Sequence, residues 1–153
     1  MTRTIEGELD GTSLRVGVAV ATWNRSVTDR LLEGAVTRLE ALGAQVTVIR
    51  VPGALELPIA ALGLADAGCD AVVAIGTIVR GDTDHYEIVV RESTAGIARV
   101  SLDTGIPVAN AILAVNEFAH AVERAVDGPS NKGFEAAEAA VRTAVALRRL
   151  DAG

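Results

Sequence analysis

Apolar and polar positions fall in blocks along this chain, and the period changes from block to block. Leu14 to Val20, LRVGVAV, is a short β-branched run that ends in the polar TWNRS, as a strand buried on both faces would. Beyond it, Val27, Leu31, Leu32, Ala35, Leu39 and Leu42 recur at helical spacing until Gly43 stops the pattern, and Ser26 with Asp29 has capping-box spacing at its start. QVTVIRV predicts a second strand, broken by Pro52 and Gly53. A helix can begin near Leu55, since Pro58 is tolerated in a first turn, and it should stop near Gly68.

DAVVAIGTIV predicts the third strand, and a helical pattern follows from about Asp84 to Leu102, with Asp84 and Glu87 again at capping-box spacing. IPVANAIL supplies a fourth strand and NEFAHAVERAV a short helix beginning near Asn116. NKGFEAAEAAVRTAVALRRL is a longer helix with Phe134, Ala137, Val141 and Val145 on one face. Strand and helix thus alternate four times with short connections, which predicts an α/β fold with a parallel sheet covered by helices on both faces. In such sheets ligands bind beyond the carboxyl ends of the strands. Residues 22–24 (TWN), 53–56 (GALE), 80–85 (RGDTDH) and the loop after the fourth strand all fall there.

The 153 residues fit one domain, 1–153. Half are apolar but only 3 % are aromatic, so the core should be built from small and β-branched side chains. A net charge of −6, with cations scattered, argues against nucleic acid as a partner, so any bound anion must be held locally. The single cysteine, Cys69, has no disulfide or metal-ligand partner at a useful spacing, which fits a buried structural thiol in a reducing cytoplasm. MTRTIEGELDG lacks the apolar core of a signal peptide, and no apolar run reaches the roughly 18 residues that span a bilayer. A soluble cytoplasmic protein is the expectation. No dinucleotide fingerprint, phosphate-binding Walker loop or zinc spacing occurs, so neither cofactor nor metal is called for.

The chemistry concentrates in the third strand-end segment. Gly81 to His85 sits at a predicted helix start, where unpaired N–H groups and the helix dipole attract an anion, and Thr83 adds a hydroxyl donor. Histidine ordinarily titrates near neutrality, as a proton shuttle requires. The residues alone also permit a plainer reading, in which Asp84 and Glu87 cap the helix and His85 is a solvated first-turn side chain. Trp23, the only tryptophan, could stack on a planar ring or fill a core or interface. Glu56 could accept hydrogen bonds from hydroxyl groups or simply favour a helix start. Arg124 and Lys132 flank a turn and could clamp an anion or be solvated charges near helix ends. His120 is read as structural or surface.

With these residues in view, the chain resembles the lumazine synthase family of riboflavin biosynthesis. The resemblance runs from IEGELDGTSLRVGVAVATWN through LLEGA, VPGALELP, GTIVRGDTDHYEIV and GIARVSLDTGIPVANAIL to AVERA and NKGFEAAEAA. It implies a flavodoxin-like three-layer α/β/α sandwich around a four-stranded parallel sheet, with residues 1–13 as an N-terminal extension packing on a neighbouring subunit. It also implies a homo-oligomer, a pentamer with active sites between subunits and in some members a 60-subunit shell, with riboflavin synthase as a possible associate. The implied reaction joins 5-amino-6-(D-ribitylamino)uracil to 3,4-dihydroxy-2-butanone 4-phosphate, with no cofactor, metal, nucleic acid or membrane.

Carried over by position, the resemblance sets Trp23 against the pyrimidine ring and Asn24 and Glu56 at the ribityl hydroxyls. Ala54, Leu55, Thr77, Val79 and Asn110 are further substrate-contacting positions. Gly81, Asp82 and Thr83 become the phosphate-binding turn and His85 the proton-transferring residue. Arg124, from the adjacent subunit, becomes the phosphate-holding arginine, and Lys132 belongs to the same basic turn. The chain departs from the family pattern at Leu55 and Asn110, where many members have phenylalanine, and at Ala114 and Val115, where paired threonines are usual. Those departures keep a second expectation open, a non-catalytic flavin- or lumazine-binding or cage-forming paralogue. The short turn between Arg124 and Lys132 leans toward the shell.

Overall fold

Four strands and five α-helices alternate through the chain, and the computed structural model describes residues 1–153. Strands β1 (Arg15–Ala21), β2 (Gln45–Val51), β3 (Ala71–Val79) and β4 (Val108–Val115) form one parallel sheet in the order β2-β1-β3-β4. Helices α1 (Arg25–Ala41) and α5 (Lys132–Asp151) cover one face; α2 (Leu57–Asp66) and α3 (His85–Thr104) cover the other. The short α4 (Phe118–Glu123) joins the α5 side through buried Ala121. This is the helix-covered parallel sheet expected from the alternation, in the flavodoxin-like three-layer form that the resemblance implies.

The period of two in the strands divides the core. Val16, Val18 and Val20 of β1 and Val73 and Ile75 of β3 meet α1 and α5, where Leu31 and Leu39 are fully buried. Burial of each such leucine contributes roughly 1.5–3 kcal/mol. On the other face Ala19, Ala21 and Ala74 meet Leu57, Ala60 and Ala61, so small side chains let α2 lie close to the sheet. Cys69 is buried in this second layer, and burial pushes its thiol up, which keeps it protonated and inert.

The predicted elements match in number, type and order, but two helix starts are built differently. At α1, Asn24 occupies the cap position in the left-handed region, φ 60° and ψ 43°, with no side-chain cap. Asp29 does not close a box with Ser26. It accepts from Arg50 Nη1 at 2.9 Å and from Arg25 Nε at 3.0 Å, bonds that hold its carboxyl below the usual carboxylate range, the Arg50 bond most. At α3 the Asp84 side chain makes no cap, and Glu87 is drawn to Arg80 at 3.5 Å. Helix α2, between these two, starts in two steps: a 3₁₀ turn, Ala54–Glu56, precedes it, with Pro58 in the first turn of the α-helix. On α5 the buried stripe consists of Gly133, Ala136, Ala137, Ala140, Val141 and Ala144, while Phe134 is only half-buried beneath the Arg38 guanidinium, 4.9 Å from its ring centre.

Residues before β1 run along α5 of the same chain. Arg149 Nη1 donates to the Glu6 carbonyl at 2.7 Å, Arg142 Nη1 to the Gly7 carbonyl at 3.3 Å, and Arg149 also pairs with Glu8 at 2.8 Å.

The NKG segment shows why those residue types stand together. Asn131 is 1 % exposed; its Oδ1 accepts from the Gly133 and Phe134 N–H groups at 2.8 and 3.2 Å, and its Nδ2 donates to the Arg30 carbonyl at 3.2 Å. A Cβ at Gly133 would overlap the Leu31 carbonyl, so glycine lets the first turn of α5 press against α1. Asn131→Ala removes the cap and leaves buried groups unpaired. At fixed protein concentration it should lower the free energy of unfolding in denaturant titration by about 2 kcal/mol.

Candidate active site

A cleft of ≈ 350 Å³ opens at the carboxyl ends of β1 and β3, as the parallel topology predicts. Three of the four polar segments singled out in the sequence meet in it. From the first come Trp23 and Asn24, from the second Ala54, Leu55 and Glu56, and from the end of β3 and beyond it Thr77, Val79, Gly81, Thr83 and His85. Its walls also contain Ala21, Ile78, Tyr86 and Val89, which sequence reasoning did not select, and Gly53, which lies in the 53–56 segment but reads there only as a strand breaker. Val89 could have been reached from α3's helical period; nothing in the pattern gives Gly53 a role in the site.

Each wall is fixed by the backbone behind it. The Thr22 and Trp23 N–H groups both donate to the Pro52 carbonyl, at 3.1 and 3.0 Å, which joins the loop after β1 to the loop after β2. The indole is 64 % exposed, so its face is open to a ligand. Asn24 Nδ2 donates to the Thr77 carbonyl at 2.8 Å, tying the first loop to the end of β3. Glu56 Oε2 accepts the Gly53 N–H at 3.0 Å, so one carboxylate oxygen is occupied within the loop and Oε1 carries no bond within the chain. Thr77 is 6 % exposed and its Oγ1 is the one buried side-chain polar atom without a hydrogen-bond partner.

The opposite wall is the start of α3. His85 N–H donates to Thr83 Oγ1 at 3.4 Å, so the threonine hydroxyl, not a carboxylate, attends this helix end and keeps its own proton available. The N–H groups of Gly81, Asp82, Thr83 and Asp84 have no partner within the chain. They form, with the helix dipole, a row of donors suited to an anion. Arg80 braces the segment from outside: its Nε donates to Asn116 Oδ1 at 2.9 Å and its guanidinium lies 4.3 Å from the centre of the Tyr86 ring. Arg80 lies in the RGDTDH segment, but sequence reasoning gives it no role of its own.

Four expected site residues do not line this cleft. Asp82 stands exposed beside it, and Asn110, on the edge strand β4, turns its Oδ1 back to the Ile112 N–H at 2.8 Å. Arg124 and Lys132 stand together on another turn, linked by a 2.9 Å bond from the Lys132 N–H to the Arg124 carbonyl. Their side chains remain about half exposed, with Arg124 Nη1 on the His120 carbonyl at 2.9 Å and Lys132 Nζ on Glu135 at 2.8 Å. Of the departures, Val115 lies in the α1/α5 core and Ala114 is outside the cleft, whereas Leu55 is on its rim and 44 % exposed.

The arrangement offers an open aromatic face, a carboxylate, an unpaired buried hydroxyl and a helix-start anion site with a histidine beside it. It is a place to hold a planar polar ring next to a phosphorylated or otherwise anionic molecule. No group of three or more His, Cys, Asp or Glu side chains is placed to hold a metal ion.

Comparison with known proteins identifies the family. The family model described as 6,7-dimethyl-8-ribityllumazine synthase matches residues 13–148. A 6,7-dimethyl-8-ribityllumazine synthase of Leifsonia xyli subsp. xyli is 45 % identical over 144 residues, covering 93 % of this chain and 91 % of that one. The synthase of Kineococcus radiotolerans is 47 % identical, with 94 % and 91 % covered, and that of Thermococcus gammatolerans 43 % identical, with 97 % of each covered. The sheet, the cleft at its strand ends and these matches lead to one conclusion: the chain belongs to the 6,7-dimethyl-8-ribityllumazine synthase family.

Proposed function

We propose that this protein condenses 5-amino-6-(D-ribitylamino)uracil with 3,4-dihydroxy-2-butanone 4-phosphate to 6,7-dimethyl-8-ribityllumazine, releasing phosphate and water, as an enzyme of riboflavin biosynthesis. The observation that carries this reading is the family match over nearly the whole chain, together with a cleft lined by both Trp23 and the start of α3, where N–H groups lack partners within the chain. Trp23 stacks on the pyrimidine, with Ala54, Leu55 and Val79 closing around it. Asn24, Glu56 and the Thr77 hydroxyl meet its polar and ribityl groups. Gly81, Asp82 and Thr83 hold the phosphate.

The chemistry is a series of proton transfers. The amine attacks the ketone carbonyl, one water leaves to give an imine, phosphate is eliminated, and the ribityl-bearing nitrogen closes the ring on the remaining carbonyl with loss of a second water. His85 moves protons at the carbonyl and amine, and the donor row takes up the charge that develops on the departing phosphate. Much of the acceleration comes from holding two reactants face to face, since effective molarities of oriented pairs reach about 10⁵–10⁸ M.

Arg124, Lys132 and Asn110 complete the site from a second copy of the chain. Their absence from the cleft lining of their own protomer supports this arrangement, as does the exposure of Trp23 and Leu55 at its mouth. We place them at the interface of a pentamer, with the 60-subunit shell as the larger assembly and riboflavin synthase as its possible associate. The single buried thiol supports a cytoplasmic location, and no helix is long and apolar enough to cross a membrane.

Mixing both substrates with the purified protein and following lumazine absorbance against the enzyme-free reaction tests the function. Acceleration is expected. An uncatalysed rate accompanied by tight riboflavin binding would replace the synthase with a binding protein. Arg124→Ala should lower kcat/KM for the butanone phosphate by about 100-fold or more, chiefly through KM, because it removes a charged partner of the phosphate. His85→Ala should lower kcat by about 10²-fold, the low end for a lost general acid or base, without abolishing turnover. Light scattering should give a mass of sixty chains; a mass of five would remove the shell.

Thr77 gives an independent check. Thr77→Val deletes an unpaired buried hydroxyl at nearly constant shape, so thermal stability should hold or rise. The KM for the ribitylaminopyrimidine should rise about tenfold, the equivalent of one hydrogen bond. An unchanged KM would take the hydroxyl out of substrate binding.

A further inference from the structure

The glycine that opens the second cleft loop does something its backbone does not require. Gly53 has φ −134° and ψ −178°, extended geometry that any residue adopts, so no turn demands glycine there. What the position lacks is room. A Cβ built on Gly53 would come within 2.6 Å of both Cε3 and Cζ3 of Trp23, and 3.1 Å from Glu56 Oε2. Two cleft groups therefore lie against the same missing side chain.

We propose that Gly53 is a positioning residue, whose bare backbone sets where the Trp23 indole and the Glu56 carboxylate stand and thereby fixes the seat of the planar ring. The inference rests on the synthase reading for the identity of that ring, but the clearance is a property of the protein itself. Trp23 is held at its backbone by the Pro52 carbonyl, so its ring answers crowding by rotating about its side-chain bonds. The ring is 64 % exposed and can swing toward solvent without unfolding anything. Glu56 is tethered differently, by its Oε2 to the Gly53 N–H at 3.0 Å, so crowding at Cβ loosens the bond that aims the carboxylate. An alanine at position 53 is thus accommodated by the fold and registered by the cleft.

Trp23 is the only tryptophan, so its emission reports this ring alone. Gly53→Ala should leave the thermal transition within a few degrees of wild type while shifting the emission maximum and weakening the quenching that titrated riboflavin produces. In steady-state assays the KM for the ribitylaminopyrimidine should rise about tenfold, or 1.4 kcal/mol. The KM for the butanone phosphate should stay within about twofold, because the donor row on α3 is untouched. Trp23→Leu removes the two crowded ring atoms. In that background Gly53→Ala should keep only the part of its effect that passes through Glu56, so the two changes should fall short of additivity by about threefold or more in kcat/KM.

Emission unchanged by Gly53→Ala would overturn the proposal whatever the activity. So would an equal rise in both KM values, or additive effects in the double variant. If wild type accelerates no condensation, the synthase reading fails and the emission and riboflavin titrations still decide the role of Gly53.

Discussion

The cleft depends on a turn that few side chains could make. Asn24 ends the run out of β1 in the left-handed region, where asparagine is tolerated better than most residues, and from there its amide reaches the Thr77 carbonyl at 2.8 Å. That bond fastens the loop carrying the indole to the strand carrying the anion loop. The Pro52 carbonyl, accepting from Thr22 and Trp23, fastens the same loop to the carboxylate segment. Three segments far apart in sequence are held in register by main-chain and amide contacts, so the side chains that face a ligand are largely free of structural duty.

Parallel topology supplies the rest. The central strands β1 and β3, buried on both faces, turn polar at their carboxyl ends, and the order β2-β1-β3-β4 brings those ends beside that of the more exposed edge strand β2. The helix that follows β3 must start beside this crevice, and its free N–H groups come with it. An anion site is therefore a by-product of the fold, and the protein adds to it a threonine and a histidine.

How much of this was legible in the sequence depended on the kind of force involved. Hydrophobic period is local and strong, so the strands, the helices and the convergence of TWN, GALE and RGDTDH could be read directly. Caps could not, because a carboxylate goes to the nearest guanidinium: Asp29 to Arg50 and Arg25, Glu87 to Arg80, each partner distant or ambiguous in the chain. The residues Arg124 and Lys132 were marked as a basic turn, yet one protomer keeps them apart from the cleft. Gly53 could be read only as a strand breaker, since the clearance it gives Trp23 lies in an absent atom rather than a present one.

The segment ahead of β1 shows a different economy of information. Arg142 and Arg149 grip it mainly through the carbonyl oxygens of Gly7 and Glu6, groups that every residue type possesses. Most of that segment can therefore change its side chains over evolutionary time without losing its path along α5. Gly7 is the exception, because a Cβ there would overlap the Arg142 carbonyl. Drift along the strap should be wide on either side of one fixed point, leaving its outward side chains free to adapt to whatever surface they meet.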